Sequence, residues 1–352
     1  LGDVKAPSWL PLRIPTELDN SRMKLRLLAT ALLSLAASAQ TVKVDPKLPE
    51  YKQVEGVSGS VKSIGSDTMN NLMTLWAEGF RSMYPNVGIE IEGKGSSTAP
   101  AALIAGTASF GPMSRPMKDK EQTDFEKAFG YKPVGLPTAI DMLAVYVHKD
   151  NPIASLSMAQ VDAIFSKTRN GGLQNDVAKW GDLGLTGEWA DKPISLYGRN
   201  SASGTYGYFK EHALKNGDYK DSVKEQPGSS SVVQGIASDK YAIGYSGIGY
   251  VTADVRAVPL SRDGKAAAVE AKPENAYAGT YPLARFLYVY VNRKPGVALD
   301  PLRREFVRYV FSQKGQADVL KDGYYPVPAK IAFDALKQCG IDVPVVEAGA
   351  AK

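Results

Sequence analysis

Three short stretches rich in Gly, Ser and Thr carry the chemistry that this chain can do: GSDT at residues 65–68, GSS at 95–97 and SGT at 203–205. Each follows an apolar, strand-like run and precedes a helix-like pattern. The first amides of a helix have no intrahelical acceptor, and the macrodipole adds partial positive charge there, so such an end holds an oxyanion without a full counter-charge. Ser66 and Thr68 offer hydroxyls in the first stretch, beside the amides of Asp67 and Thr68, and Ser96 lies in the second. Ordinary helix caps use the same residues, so each stretch is weak by itself. None is a P-loop, because no Gly-Lys-Ser/Thr follows at the required spacing. Arg199 strengthens the third stretch: a planar guanidinium matches a tetrahedral oxyanion, Gly204 lets the backbone approach closely, and Ser203 and Thr205 add hydroxyls.

Two further segments could face the same ligand. Ser114-Arg115 follows Phe110-Gly111 after a helix, and Asp141 sits in the otherwise apolar TAIDMLAV, where an unpaired charge is costly. Asp141 could accept a hydrogen bond from a protonated ligand or from a backbone amide. Support for catalysis is slight. His148 and His212 are the only histidines, and neither stands at a spacing used for a metal or for a nucleophile's base. The glycines of GYSGIG at 244–249 do not match Gly-x-Ser-x-Gly. Neither a metal nor any other cofactor is expected.

The elements that must position these loops alternate. Val61 to Ile64 reads as a strand, and Met69, Leu72, Met73, Trp76, Phe80 and Met83 recur at helical spacing until Tyr84-Pro85. Ile89 to Ile91 and Ile194 to Tyr197 are strands ahead of the other two clusters. Met142 to Val147, Ala242 to Tyr245 and Phe286 to Val291 are also apolar strands. Alternating strands and helices favour an α/β fold with mainly parallel sheets, in which ligands sit beyond the carboxyl ends of strands. No linker divides the chain, so two lobes would be joined by more than one crossing. The strands Met142 to Val147 and Phe286 to Val291 are the candidates.

The chain has 352 residues and a formal charge of +5, too small an excess to argue for nucleic acid. Residues 23–39, MKLRLLATALLSLAASA, have the cationic start, apolar centre and small-residue end of a secretory signal peptide cleaved before Gln40, and are too short for the roughly 20 residues that span a bilayer. Residues 1–22 then read as a non-native upstream extension. Cys339 is the only cysteine, which excludes an intrachain disulfide and leaves no residue to lipidate after the leader. A periplasmic protein without a lipid anchor is expected.

Taken in order, GSDTM at 65–69, GSSTAPAALIAGTASFGPMSR at 95–115, AIFSKTRNGG with WGDLG at 163–184, RNSASGT at 199–205 and YAIGYSGIGYV at 241–251 resemble the periplasmic phosphate-binding proteins of bacterial ABC phosphate transporters. The likeness runs from about Ser60 to Tyr290. It implies a type II periplasmic-binding fold, two α/β lobes that close over one phosphate, with an inner-membrane ABC permease as partner and a monomeric receptor. Lobe 1 would comprise 56–139 and 253–340, lobe 2 140–252, with flexible ends at 40–55 and 341–352. By motif position the phosphate contacts would be Ser66, Asp67, Thr68, Ser96, Ser114, Arg199, Ser203, Gly204 and Thr205. Two positions depart from the pattern. The best-known members place a proton-accepting Asp where this chain has Ser114, and often an acidic partner for the binding arginine where it has Ser201. Asp67 and Asp141 are the candidates for the missing acceptor. The alternatives are a receptor for sulfate or molybdate, an exported phosphoesterase on the same scaffold, or a secreted adhesion or matrix protein.

Overall fold

The computed structural model describes residues 42–343, so the leader expected at 23–39, the segment before it and most of the tail lie outside the described residues. The first strand-loop-helix unit forms as its pattern requires. Strand β1 (Ser60–Ile64) leads into a 3-10 turn at Asp67–Met69 and the helix Asn70–Arg81, which buries Leu72, Met73, Trp76, Ala77 and Phe80. Strand β2 (Gly88–Glu92) pairs parallel with β1 and runs into a second 3-10 turn, Ser96–Thr98, and the helix Ala99–Ile104 with Pro100 in its first turn. Pro is suited to that place because its missing N–H would have had no helical partner.

The remaining strands are β3 (Gly111–Met113), β4 (Val134–His148), β5 (Leu156–Ser157), β6 (Ser195–Arg199), β7 (Lys224–Gln226), β8 (Ala242–Gly247), β9 (Val255–Ala257), β10 (Leu260–Ser261), β11 (Ala284–Val291) and β12 (Tyr325–Pro326). Strands β3, β11, β4, β8, β6 and β7 follow one another in a single eight-stranded sheet, with β9 and β12 also on β4. The expected parallel pairing holds for β1 with β2 and for β6 with both β7 and β8. Antiparallel pairs join the lobes: β4 meets β11 over Val134 to Met142 and β8 over Leu143 to Val147. One 15-residue strand thus serves both lobes, changing partner between Met142 and Leu143.

The crossing expected at Met142 to Val147 lies within β4, whereas Phe286 to Val291 lies within β11, which pairs with β4 only along its lobe 1 part. The return falls later than residue 253. Strand β9 pairs with the lobe 2 end of β4 and β10 pairs with β5, which keeps 255–261 on lobe 2. We therefore place the return at Leu283 to Arg285, where Leu143 N donates to Leu283 O at 3.0 Å.

The segment expected to be a flexible lead-in is anchored from residue 42 onward. Leu48 is buried, the Tyr51 hydroxyl lies 2.8 Å from that of Tyr84 and 3.2 Å from Glu305, and Asp45 accepts from Ala329 N at 2.9 Å. Its polar, Pro-containing sequence hid two apolar anchors.

Candidate functional site

The Ser/Gly/Thr loops follow the carboxyl ends of β1, β2, β3 and β6, where an α/β sheet presents its ligand-facing turns. Backbone bonds bring the lobe 1 loops together. Gly65 N donates to Glu92 O at 3.0 Å, Gly95 N to Gly65 O at 2.7 Å and Ser66 N to Pro112 O at 2.8 Å. A Cβ on Gly65 would collide with Pro112 O, so that close approach needs glycine. Ser96 and Ser114 are then neighbours: Ser114 N donates to Ser96 Oγ at 3.0 Å, and the two hydroxyls lie 3.2 Å apart.

From lobe 2, Ser203 caps the helix Gly204–His212, its Oγ accepting from Thr205 N at 3.1 Å and Tyr206 N at 3.4 Å. The cap leaves the hydroxyl proton of Ser203 free to donate. Gly204 lies directly against lobe 1, since a Cβ there would strike Ser96 Oγ and Ser114 Oγ. Thr205 Oγ1 is 2.9 Å from Thr68 Oγ1, and Ser97 N donates to Ala202 O at 3.1 Å. All nine expected contact residues therefore gather where the lobes meet. Ser66, Thr68, Ser96, Ser114, Arg199, Ser203 and Thr205 are buried, and Ser66 Oγ has no hydrogen-bond partner among the described residues.

Arg199 is 1 % exposed and points into this junction from the end of β6. Its Nη1 donates to Ser229 Oγ at 2.6 Å and lies 3.1 Å from Asp67 Oδ2, and its Nη2 donates to Pro227 O at 2.9 Å. The Nε is buried without a partner among the described residues. Burial pulls its pKa below the ordinary arginine value, and the Asp67 carboxylate opposes that shift. Asp67 also accepts from Ser229 N at 2.9 Å and Ser229 Oγ at 3.1 Å, while the Tyr250 hydroxyl donates to Asp67 O at 3.0 Å. The acidic partner sought at position 201 thus comes from the opposite lobe.

Asp141 is fully buried with both oxygens engaged. Oδ1 accepts from Ile248 N at 3.0 Å, and Oδ2 accepts from Arg285 Nε and Nη2 at 2.9 and 2.7 Å. A carboxylate so occupied is a partner for Arg285, which weighs against its taking a ligand's proton. Arg115 turns away from the junction to form a two-pronged pair with Glu121 at 2.8 and 2.7 Å, leaving Ser114 as that loop's contribution. Neither histidine enters: His148 Nδ1 accepts from Asp150 N, and His212 packs on Tyr208.

Arg285, Ser229 and Tyr250 are the residues that sequence reasoning missed. Arg285 had a readable signal, a lone cation in the apolar run PLARFLYVYV that mirrors the lone anion in TAIDMLAV.

Residues 51–314 match the PBP superfamily domain. The chain is 57% identical over 323 residues to the phosphate-binding protein PstS of Pseudomonas aeruginosa, covering 91% of this chain and 100% of that protein. It is 30% identical over 287 residues to PstS of Staphylococcus haemolyticus, 80% of this chain and 85% of the relative. A structure from Clostridium perfringens, of a protein assigned to phosphate ABC transport as its substrate-binding component and solved with phosphate bound, superimposes with a TM-score of 0.63 at 28% identity, covering 76% of this chain and 100% of that one. With two α/β lobes that meet over a hydroxyl-lined junction, and with relatives so similar over nearly the whole length, this chain belongs to the PBP superfamily and, within it, to the PstS phosphate-binding proteins.

Proposed function

We propose that the protein is a periplasmic receptor that binds inorganic phosphate between its lobes and supplies it to an ABC transport system. The observation that carries this reading is the convergence of three strand-to-helix turns and Arg199 on one buried, donor-rich junction. Ser66, Asp67, Thr68, Ser96 and Ser114 of lobe 1 face Arg199, Ser203, Gly204 and Thr205 of lobe 2. Together they replace the hydration of an oxyanion with fixed hydroxyls, amides and one guanidinium. The family is one of solute-binding proteins, so the ligand is bound and released unchanged. A membrane permease receives it, and the receptor works as a monomer exported by the leader at 23–39.

Protonation must be read by something other than residue 114. Asp67 is the acidic group to which we assign this role: Oδ2 holds Arg199 and Ser229 across the junction, which leaves Oδ1 without a hydrogen bond among the described residues. A site made only of donors would take sulfate as readily as phosphate. The deciding experiment is calorimetric titration with phosphate and with sulfate across pH. Tight phosphate binding that sulfate does not displace is the expected result, and equal affinity for both would sink the phosphate assignment.

A further inference from the structure

Arg285 belongs to none of the loops that surround the junction, yet it reaches one of them. It stands at the start of β11, opposite Asp141 of β4 in the strand register, and its side chain is 2 % exposed. Besides its two bonds to Asp141 Oδ2, Nη2 donates to Thr205 Oγ1 at 2.9 Å. Its guanidinium lies 5.2 Å from the centre of the Tyr208 ring, one turn further along the same helix as Thr205. Nη1 is buried with no partner among the described residues.

A guanidinium has only donors. Thr205 Oγ1 therefore accepts from Arg285, and its own proton must point elsewhere: to Thr68 Oγ1 at 2.9 Å across the junction, or to an anion bound there. Packing alone does not call for a buried ion pair here, because apolar side chains of similar volume commonly do as well. The location is also informative. Asp141 and Arg285 lie on the two strands that connect the lobes, and Asp141 Oδ1 ties in Ile248 just past β8.

We propose that Arg285 is a positioning residue for the anion site: clamped by Asp141 between the crossing strands, it fixes the Thr205 hydroxyl as a donor toward the ligand and ties that donor to the hinge. This rests on the reading of the junction as a phosphate site. The crossing strands then serve as structural links and also hold the polarity of one ligand contact.

The test is calorimetry with inorganic phosphate on wild type, the neutral pair Asp141→Asn with Arg285→Gln, Thr205→Val, and all three substitutions combined, each checked by thermal melting. The neutral pair leaves no lone buried charge. It should weaken phosphate binding about tenfold, and in the Thr205→Val background it should cost less than about twofold more, because coupled residues are not additive. Arg285→Lys supplies a second route that retains the charge. Lacking the planar fork that bridges Asp141 and Thr205, it should melt near wild type and bind phosphate more weakly. Wild-type affinity in the neutral pair or in Arg285→Lys, or an undiminished loss in the Thr205→Val background, overturns the inference while wild type still binds. Failure of wild type to bind phosphate overturns the functional reading and this inference with it.

Discussion

At the junction of the lobes Arg199 faces Asp67, and Arg285 faces Asp141, so each guanidinium meets a carboxylate before it meets a ligand. The four formal charges cancel, and anion recognition falls to directed donors instead of net charge. Among the described residues the buried Nε of Arg199 has no partner, so its truncation should be felt directly. Arg199→Ala is expected to weaken phosphate binding about 100-fold, roughly 3 kcal/mol, in calorimetry; wild-type affinity would remove Arg199 from the site. The residues that gather at the junction were legible because helix-start chemistry is local: Ser203 caps the very turn in which it stands. Arg285 and Ser229 were not, since their partners Asp141 and Asp67 lie 144 and 162 residues away in the chain. Asp141 was readable as an anomaly in an apolar strand, but only the register of β4 against β11 shows what answers it.

Among the elements, the strand-loop-helix units were readable from periodicity, whereas the length of β4 was not. Only Met142 to Val147 has an unbroken apolar run; Gly135 and Pro137 upstream read as breakers. The strand continues through them because the register with β11 shifts between Leu287 and Tyr288, which lets Pro137 pass at an irregularity. The turn after the helix Gln313–Lys321 bears on this hinge too. Asp322 there has its pKa pushed up to about 7 by burial and, secondarily, by the Asp141 charge. Over the interval in which an unfolded Asp has lost its proton and the native one has kept it, the native state binds more protons, so this group makes stability fall as pH rises from about 4 to about 7. Above that range its contribution is constant. Asp322→Asn should raise the melting temperature at pH 8 and flatten its dependence between those limits; a pH profile unchanged from wild type would show that Asp322 does not titrate there.

For the whole molecule, the two lobes bond to one another across the junction. Asp67 of lobe 1 holds Arg199 and Ser229 of lobe 2, and Tyr250 returns a bond to Asp67 O. Asp67→Asn keeps the shape but removes the counter-charge. Small-angle scattering should show a larger radius of gyration for this variant than for wild type at equal phosphate concentration, and identical curves would deny Asp67 a part in closure. The α/β class was legible from alternation and the two lobes from the family resemblance, but the return point was not: β9 and β10 are too short to betray which sheet they join. The shared strand β4 has a different consequence for heredity and engineering. Since the lobes complete their sheets with successive parts of the same 15 residues, a cut on either side of that strand leaves one lobe's sheet short. A chimaera that keeps the fold must transplant the lobe together with its own stretch of that strand.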